Sequence, residues 1–523
     1  MTMLTKLDLD FKEEWMCEEC PYYLPSYRDP KATLTQACWI LDSNPNLVDL
    51  TMRAVLLKDR RDALLLTTTL YRLRRLRALN LEFALWKTAT ESLIPKVVID
   101  IFFACPPSLR KLILASHFQN GYSQSRTFSI EYNEFEPGTL QSWEKPDADC
   151  GLATTTTMTM PRRHEPLLDL KELHLGGLGN FSGDELQSTL HHCPNLTTLH
   201  LPGLHDIDDI PRFGGEIARW CPKLSDLANN GFRSGDEELK KLLVWILRAL
   251  PLQQATRFVL NGLPSATIEG LDDAGSIFKG HSRTLREISL HGYMNVDSKV
   301  VQTILVQCEA LESLKVHCPR GSDRYQVCLV LEDATEFPWA CTRMQDLRLT
   351  IIIPDKPLHR PADGLLPYYD RPPPTTLSAE ERQQFKDLES FYRQLGKLTQ
   401  LRRLELRALY SDPTGMRKSS WVFPANSFPG MLSLRNEGTG RPGYLQLLGG
   451  LTKLKTLIGS VAAYTKETMV TIGMDEVVWM DKHWPALEKA GFFRVLPTAP
   501  SPFNWLLKQR QMRGPDLDIC ALY

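Results

Sequence analysis

No run of 18 apolar residues occurs anywhere in the 523-residue chain, which argues against a transmembrane helix. The opening Met1-Thr2-Met3-Leu4-Thr5-Lys6-Leu7-Asp8 lacks the apolar core of a secretory signal. An excess of one charge sign is also missing: 61 Lys and Arg stand against 62 Asp and Glu. A nucleic-acid binder more often shows a basic excess, so neither nucleic acid nor membrane is an expected partner. The chain holds no Gly-rich phosphate loop, no Gly-x-Ser-x-Gly elbow and no His-Glu-x-x-His. Catalysis therefore has no local constellation to rest on, and no cofactor or metal is expected. The twelve cysteines, without a secretory signal, are expected to be reduced and the protein intracellular, cytoplasmic or nuclear.

What is present is a repeated apolar spacing, Leu-x-x-Leu-x-Leu. It is cleanest at Cys193-Pro194-Asn195-Leu196-Thr197-Thr198-Leu199-His200-Leu201. It returns at Leu170/Leu173/Leu175, Leu285/Ile288/Leu290, Leu311/Leu314/Val316 and Leu401/Leu404/Leu406. The leading apolar positions are Leu4, Leu47, Leu76, Leu109, Leu170, Leu196, Leu224, Ala255, Leu285, Leu311, Met344, Leu401 and Leu454. From Leu170 to Met344 they fall 26 to 33 residues apart, a period that signals a solenoid. Each unit has room for a strand, a helix and two turns. The strand is the Leu-x-x-Leu-x-Leu segment, because its last two apolar residues alternate with period two. The helices precede the strands. Leu186 and Leu190 share a helical face, as do Val301, Ile304 and Leu305, while Leu242–Leu250 is apolar nearly all round. Cys193, Cys221, Cys308 and Cys341 lie three residues before the leading position, and Cys105 four before. A small thiol there closes the helix against the core.

Insertions interrupt the period. Residues 1–116 read as N-terminal repeats, 117–166 as a polar insertion and 167–350 as regular repeats. A proline-rich insertion and helix follow at 351–400, the helix opening at Ser378-x-x-Glu381, a capping-box pattern. Irregular C-terminal repeats and a cap complete the chain at 401–523.

Cys-Pro-x-Leu-x-x-Leu-x-Leu after an amphipathic helix resembles the cysteine-containing class of leucine-rich repeats. The irregular repeats, the proline-rich insertions and the stretch Val477-Val478-Trp479-Met480 with His483-Trp484-Pro485-Ala486-Leu487 most resemble fungal F-box-like leucine-rich-repeat proteins. The resemblance covers nearly the whole chain. It implies an α/β horseshoe, with parallel strands on the concave face and helices on the convex face. It also implies a non-catalytic recognition scaffold, of the kind that forms the substrate-binding part of an F-box type ubiquitin-ligase receptor, with a ubiquitylation substrate as partner. Such proteins often carry an F-box ahead of the repeats. Here Leu4-Thr5-Lys6-Leu7-Asp8-Leu9 already reads as a repeat strand, so no F-box is recognised and cullin-adaptor binding is not expected of these residues. Leu93–Phe102 looks superficially like an F-box helix but runs straight into the repeat at Leu109. Two alternatives stand beside this reading: an enzyme regulator of the GTPase-activator kind, using an exposed Arg such as Arg212 or Arg320, and an orphan paralogue with no ligase role.

Side-chain alternation places the residues flanking the second apolar position on the open face of the sheet. The expected rungs are Lys6/Asp8, Asp49/Thr51, Ala78/Asn80, Lys111/Ile113, Glu172/His174, Thr198/His200, Asp226/Ala228, Arg257/Val259, Glu287/Ser289, Ser313/Lys315, Asp346/Arg348, Arg403/Glu405 and Thr456/Ile458. The partner-binding candidates among them are Glu172, His174, Thr198, His200, Glu287, Lys315 and Arg348. Aromatic anchors are scarce on the rungs and collect in 339–428 as Trp339, Tyr368, Tyr369, Trp421, Phe423 and Phe428. Tyr368, Tyr369 and Trp421 therefore join the candidates, on the expectation that 350–450 supplies much of the recognition surface. Three smaller features remain: the His174/His200/Glu172 cluster, the pair Cys17 and Cys20, and a basic patch of Arg72, Arg74, Arg75, Arg77, Arg110 and Lys111. Their ordinary readings are polar filler, a surface loop and a solvated edge; their functional readings are metal or proton binding, half a zinc site, and an acidic patch on a partner.

Overall fold

The computed structural model describes residues 4–11, 34–55, 57, 60–84, 94–117, 163–176, 180–229, 237–262, 274–292, 298–317, 329–354, 379–411, 428, 431–434, 443–459, 473–493, 502–513 and 518–522. The chain divides into two compact units, Met1–Leu224 with Asn229–Gly231, and Ser225–Ala228 with Phe232–Tyr523.

In the first unit the strands Lys6–Asp10, Asp49–Val55, Ala78–Ala84, Lys111–His117, Glu172–Gly176 and Thr198–Leu201 pair in parallel, in chain order. The helices Leu34–Asp42, Arg60–Arg72, Ile94–Ala104, Gly183–Leu190 and Ile210–Trp220 each pack on the next. In the second unit the parallel order runs from residues 226–228 through Arg257–Gly262, Glu287–Gly292, Ser313–His317, Asp346–Pro354, Arg403–Ser411, Thr456–Gly459, Lys489–Phe493 and Asp518–Leu522. Its helices include Glu237–Ala249, Ala274–Gly280, Ser298–Gln307, Ala379–Gly396, Met474–His483 and Pro502–Arg513. Both units are thus α/β stacks of parallel strands and helices, of the leucine-rich-repeat kind.

One hydrogen-bond pattern recurs at most of the turns into a strand. The amide of the leading apolar residue bonds the carbonyl three residues back, as Leu196 N does to Cys193 O and Leu311 N to Cys308 O, both at 3.2 Å. The next two amides then share one carbonyl of the preceding repeat. Arg110 N and Lys111 N reach Arg77 O at 2.8 and 3.1 Å; Arg286 N and Glu287 N reach Thr256 O at 2.8 and 3.2 Å; Glu488 N and Lys489 N both reach Lys455 O at 2.8 Å. These bonds set each strand against the last in a single register.

Burial follows the apolar spacing. Twelve of the thirteen leading positions are 0% exposed, and so are Leu199, Ile288 and Leu314. Leu4 is the exception at 45% exposed. It opens an edge strand with one neighbour instead of two. The repeat cysteines Cys105, Cys193, Cys221, Cys308 and Cys341 are all fully buried. Their thiols point at carbonyls near helix ends, Cys105 Sγ to Ile101 O at 3.2 Å and Cys193 Sγ to Thr189 O at 3.4 Å. Burial pushes the thiols of Cys105, Cys221, Cys308 and Cys341 up to about 12, so they stay protonated and inert. Of the Leu93–Phe102 segment, residues 94–102 belong to the helix Ile94–Ala104 that feeds the strand Lys111–His117.

Several structural devices lie outside the sequence expectation. Two further strands, Lys489–Phe493 and Asp518–Leu522, continue the sheet. Ahead of the first, Trp484 takes the cysteine position and donates Nε1–H to Leu448 O at 3.1 Å. Arg510, buried, then holds the end of the helix Met474–His483, donating to the carbonyls of Asp481, Trp484 and Pro485 while its Nε meets Asp481 Oδ1 at 2.8 Å. In the repeat led by Ala255 the residue three back, Leu252, is 79% exposed, and the regular turn bond is replaced. The Ala255 amide donates to Nδ1 of buried His281 at 3.3 Å, whose Nε2 faces Leu247 O at 3.0 Å. Burial lowers the His281 pKa despite the Leu247 carbonyl, which suits a neutral ring that accepts at Nδ1 and donates at Nε2. The helix Gly183–Leu190 carries a capping box of Ser182 and Glu185. Gly459, at φ +131°, lies so close to the Leu406 backbone that a Cβ cannot be accommodated.

Leu199→Ala removes a fully buried side chain and is expected to destabilise by about 2–5 kcal/mol. His200→Ala, one residue along on the other face, loses a stacked ring contact and is expected to cost about 0.5–1.5 kcal/mol. Urea unfolding checks both; equal losses would contradict the alternation of faces.

Candidate functional site

The residues between the buried leucines form two rows in each unit, mostly polar but with Ala78, Ile113, Ala228, Val259 and Ile458 among them, and the rows match the expected rungs. In the first unit Lys6, Asp49, Ala78, Lys111, Glu172 and Thr198 stand in register, beside Asp8, Thr51, Asn80, Ile113, His174 and His200. In the second, Asp226, Arg257, Glu287, Ser313, Asp346, Arg403 and Thr456 stand beside Ala228, Val259, Ser289, Lys315, Arg348, Glu405 and Ile458. Lys489 and Asp518 extend the first of these rows, a continuation that the sequence reading missed.

In the first unit Lys111 Nζ meets Glu172 Oε2 at 2.6 Å, and His174 Nε2 lies 4.0 Å from that same oxygen. The rings of His174 and His200 stack with centroids 3.8 Å apart and planes 27° from parallel. Thr198 pairs in register with Glu172. The four candidates of this unit are therefore contiguous. Among the described residues no group of three or more His, Cys, Asp or Glu is placed to hold a metal ion. The crevice lined by Phe102, Phe103, Cys105, Arg163, Glu165, Leu167 and His192 has no room even for water.

In the second unit Arg257 spans two strands, its Nη1 at 3.1 Å from Asp226 Oδ1 and its Nε at 3.1 Å from Glu287 Oε2. Lys315 Nζ completes the Glu287 carboxylate at 2.8 Å from Oε1. Arg348 forms a two-pronged pair with Asp346 at 3.0 and 2.7 Å. Glu405, only 4% exposed, is gripped by Arg403 Nη2 at 3.1 Å and by Arg407 Nη2 at 2.7 Å. Arg407 lies outside the expected rungs, one alternation beyond Glu405. Burial by itself would raise the Glu287 carboxyl; Lys315 and Arg257 outweigh it and hold the pKa below the ordinary value. For Arg348, the Asp346 hydrogen bonds dominate and reinforce the charged form.

The face is thus a mesh of alternating signs in which carboxylates and cations satisfy each other. Among the described residues the face shows no continuous positive track for a polyanion. The pairs range from nearly buried, as at Arg407 and Glu405, to largely exposed, as at Lys6 and Asp49.

The aromatic anchors divide. Trp339 and Phe428 are core residues, a correction to their reading as recognition anchors. Trp339 donates Nε1–H to Ala334 O at 3.0 Å and meets Phe391 edge-on at 5.9 Å; Phe428 is 1% exposed and stacks on Phe391. They fill the space beside the helix Ala379–Gly396, where large apolar rings gain more from burial than from solvent. Tyr368, Tyr369, Trp421, Phe423, Cys17, Cys20 and Arg320 lie outside the described residues. Arg212 lies in the first turn of the helix Ile210–Trp220 and pairs with Glu216 at 3.1 Å, so it is not presented on a rim loop. Among the described residues no helix is long and apolar enough to cross a membrane.

No protein-family model and no curated protein matches the chain. Among solved structures it is similar to the crystal structure of the leucine-rich repeat-containing protein LegL7 from Legionella pneumophila, at 13% identity over 66% of this chain and 87% of that one, with a TM-score of 0.27. A similarity that slight carries no argument, and the repeat fold rests on this chain's own register, burial and turn bonds.

A carboxylate held down by two cations contributes stability above its ordinary pKa and loses it as pH falls through the lowered folded value. Glu287 is therefore expected to titrate below an ordinary Glu in carboxyl-resolved NMR. Lys315→Met should move its midpoint upward. An unshifted midpoint in the native protein would contradict the pairing.

Proposed function

We propose that this chain is a non-catalytic recognition scaffold that binds a protein partner on the polar strand face. The observation that carries the reading is the pair of polar rows, held in register strand after strand and balanced in sign. A protein surface of mixed charge is the complement such a face fits. Electrostatic complementarity of this kind favours the right partner and penalises wrong ones more than it adds raw affinity. Neutralised rows are poorly suited to nucleic acid or an anionic membrane. The six described cysteine side chains that are free and buried support an intracellular home, cytoplasmic or nuclear.

The narrower proposal is the substrate-binding part of an F-box type ubiquitin-ligase receptor. Its support is the resemblance of the repeat motif, and a repeat scaffold hosts many partners.

Photo-crosslinking residues placed at Thr198 and Ser313, on the strand rows, are expected to capture a partner in native cells. The same probe at Gln187 and Thr303, on the helices, should not. Ser313→Arg and Thr198→Arg add bulk to the rows and should abolish capture without loss of thermal stability. Crosslinks confined to the helix positions would overturn the strand-face reading. Co-purification of a cullin and its adaptor is the result expected of the narrower proposal. Their absence beside a captured partner removes the ligase role alone.

A further inference from the structure

The turn that opens each strand places one residue just outside the sheet, between the leading apolar position and the first polar rung. In the second unit this column carries both signs: Arg402 and Lys455 are neighbours of like charge, but two of the cations meet an acid on the next repeat. Arg286 Nη1 lies 3.8 Å from Glu312 Oε1 on the next repeat, and Lys455 Nζ lies 2.6 Å from Glu488 Oε1. In the first unit the same column reads Arg77, Arg110, Lys171. The three are neighbours on successive repeats, because Arg110 N bonds Arg77 O and Lys171 N bonds Arg110 O, both at 2.8 Å. All three are exposed, as are Arg74 and Arg75 in the turn before Arg77. Among the described residues none of these five side chains makes an ion pair or hydrogen bond, whereas Arg72 is taken by Asp42 at 3.0 Å and Lys111 by Glu172 at 2.6 Å.

Like charges on adjacent strands repel and destabilise the fold. Among the described residues no acid pairs with them: the three turns 74–77, 107–110 and 168–171 contain a single acid, Asp169, which pairs with none of the five. The turns are also fixed in place. Ser108 Oγ donates to Arg74 O at 3.1 Å and to Leu76 O at 2.9 Å, and Asn195 Nδ2 to Leu168 O at 2.9 Å. The fixed turn backbones set the spacing of this row of cations before any external anion binds, which lowers the backbone part of the ordering cost.

From this geometry we infer that the turn row Arg74, Arg75, Arg77, Arg110 and Lys171 is a docking site for an acidic segment of a protein, one carrying several Asp or Glu side chains. Strands step by about 4.8 Å, so Arg77 to Lys171 spans about 10 Å, the reach of a few residues of extended peptide. Leu168, 56% exposed in the same turn as Lys171, offers an apolar contact beside the charges. The turns hold no aromatic side chain on which nucleic-acid bases could stack. One exposed leucine is a thin anchor for a bilayer. The site is separate from the strand rows and stands or falls independently of them.

The test is fluorescence anisotropy of the full chain with a labelled peptide of alternating Glu and Asp around one Leu. The variant Arg77→Glu/Arg110→Glu/Lys171→Glu is compared with Lys279→Glu/Arg343→Glu/Lys397→Glu, which makes the same change of net charge at exposed cations elsewhere. We expect the turn variant to weaken binding about tenfold or more and the control by less than about twofold, with added salt weakening the native interaction. If thermal melts show that the triple reversal does not fold, Arg77→Gln/Arg110→Gln/Lys171→Gln reads the same loss. Equal loss from both reversals, no binding by the native chain, or tighter turn-dependent binding of oligo-dT or phosphatidylserine vesicles than of the peptide would overturn the inference.

Discussion

One carbonyl shared by two amides is the interaction on which the rest of this structure depends. At twelve described turns the residue before a strand and the first residue of that strand both donate to a single oxygen of the preceding repeat, as Thr197 and Thr198 do to Lys171 O at 2.9 Å. The bond is backbone to backbone, so it tolerates any side chain at those two places. It also fixes register, and in a sheet a slip of one residue would turn every side chain to the opposite face. The buried leucines supply the driving force for each repeat, while the shared carbonyl decides which residues face outward and which neighbours they meet.

That constraint explains how a chain with almost no net charge can carry charged surfaces of two different kinds. Along the strands, register brings Asp226, Arg257 and Glu287 onto adjacent rungs, where opposite signs are drawn together and covered by their neighbours. At the turns of the first unit the same register aligns Arg77, Arg110 and Lys171, and repulsion is left standing. Neutral mesh and positive row come from identical geometry filled with different residues. A scaffold of this type changes its surface without disturbing its core, because the outward positions are free of the packing demands on the inward ones.

Most of the ladder was legible in the sequence, and the reason is physical. Leu-x-x-Leu-x-Leu marks both the inward positions and, by alternation, the outward ones, so Glu172 beside Thr198 and Lys315 beside Arg348 could be paired without coordinates. The spacing failed where other residues do leucine's work. Lys489–Phe493 carries buried Ala490 where other strands carry leucine, with Trp484 standing where a cysteine was expected, and Asp518–Leu522 sets Ile519 in register with Ala490. His281 and Arg510 were invisible for a different reason. Each makes up for a turn or helix end with an irregular backbone, and no local pattern announces a side chain that serves the neighbouring repeat. Trp339 and Phe428 show the converse: aromatic residues near an insertion read as surface anchors, yet the helix Ala379–Gly396 packs against them.

Native-state hydrogen exchange resolved to single amides tests the shared-carbonyl account most directly. The paired donors Arg110 and Lys111, Thr197 and Thr198, Arg286 and Glu287, and Gln345 and Asp346 flank the strands, where ordinary fraying would make them exchange early. The account predicts protection equal to that of the central strand amides of Leu112, Leu199, Ile288 and Leu347, lost together with them as denaturant rises. Rapid exchange of the paired donors while the central amides stay protected would contradict it.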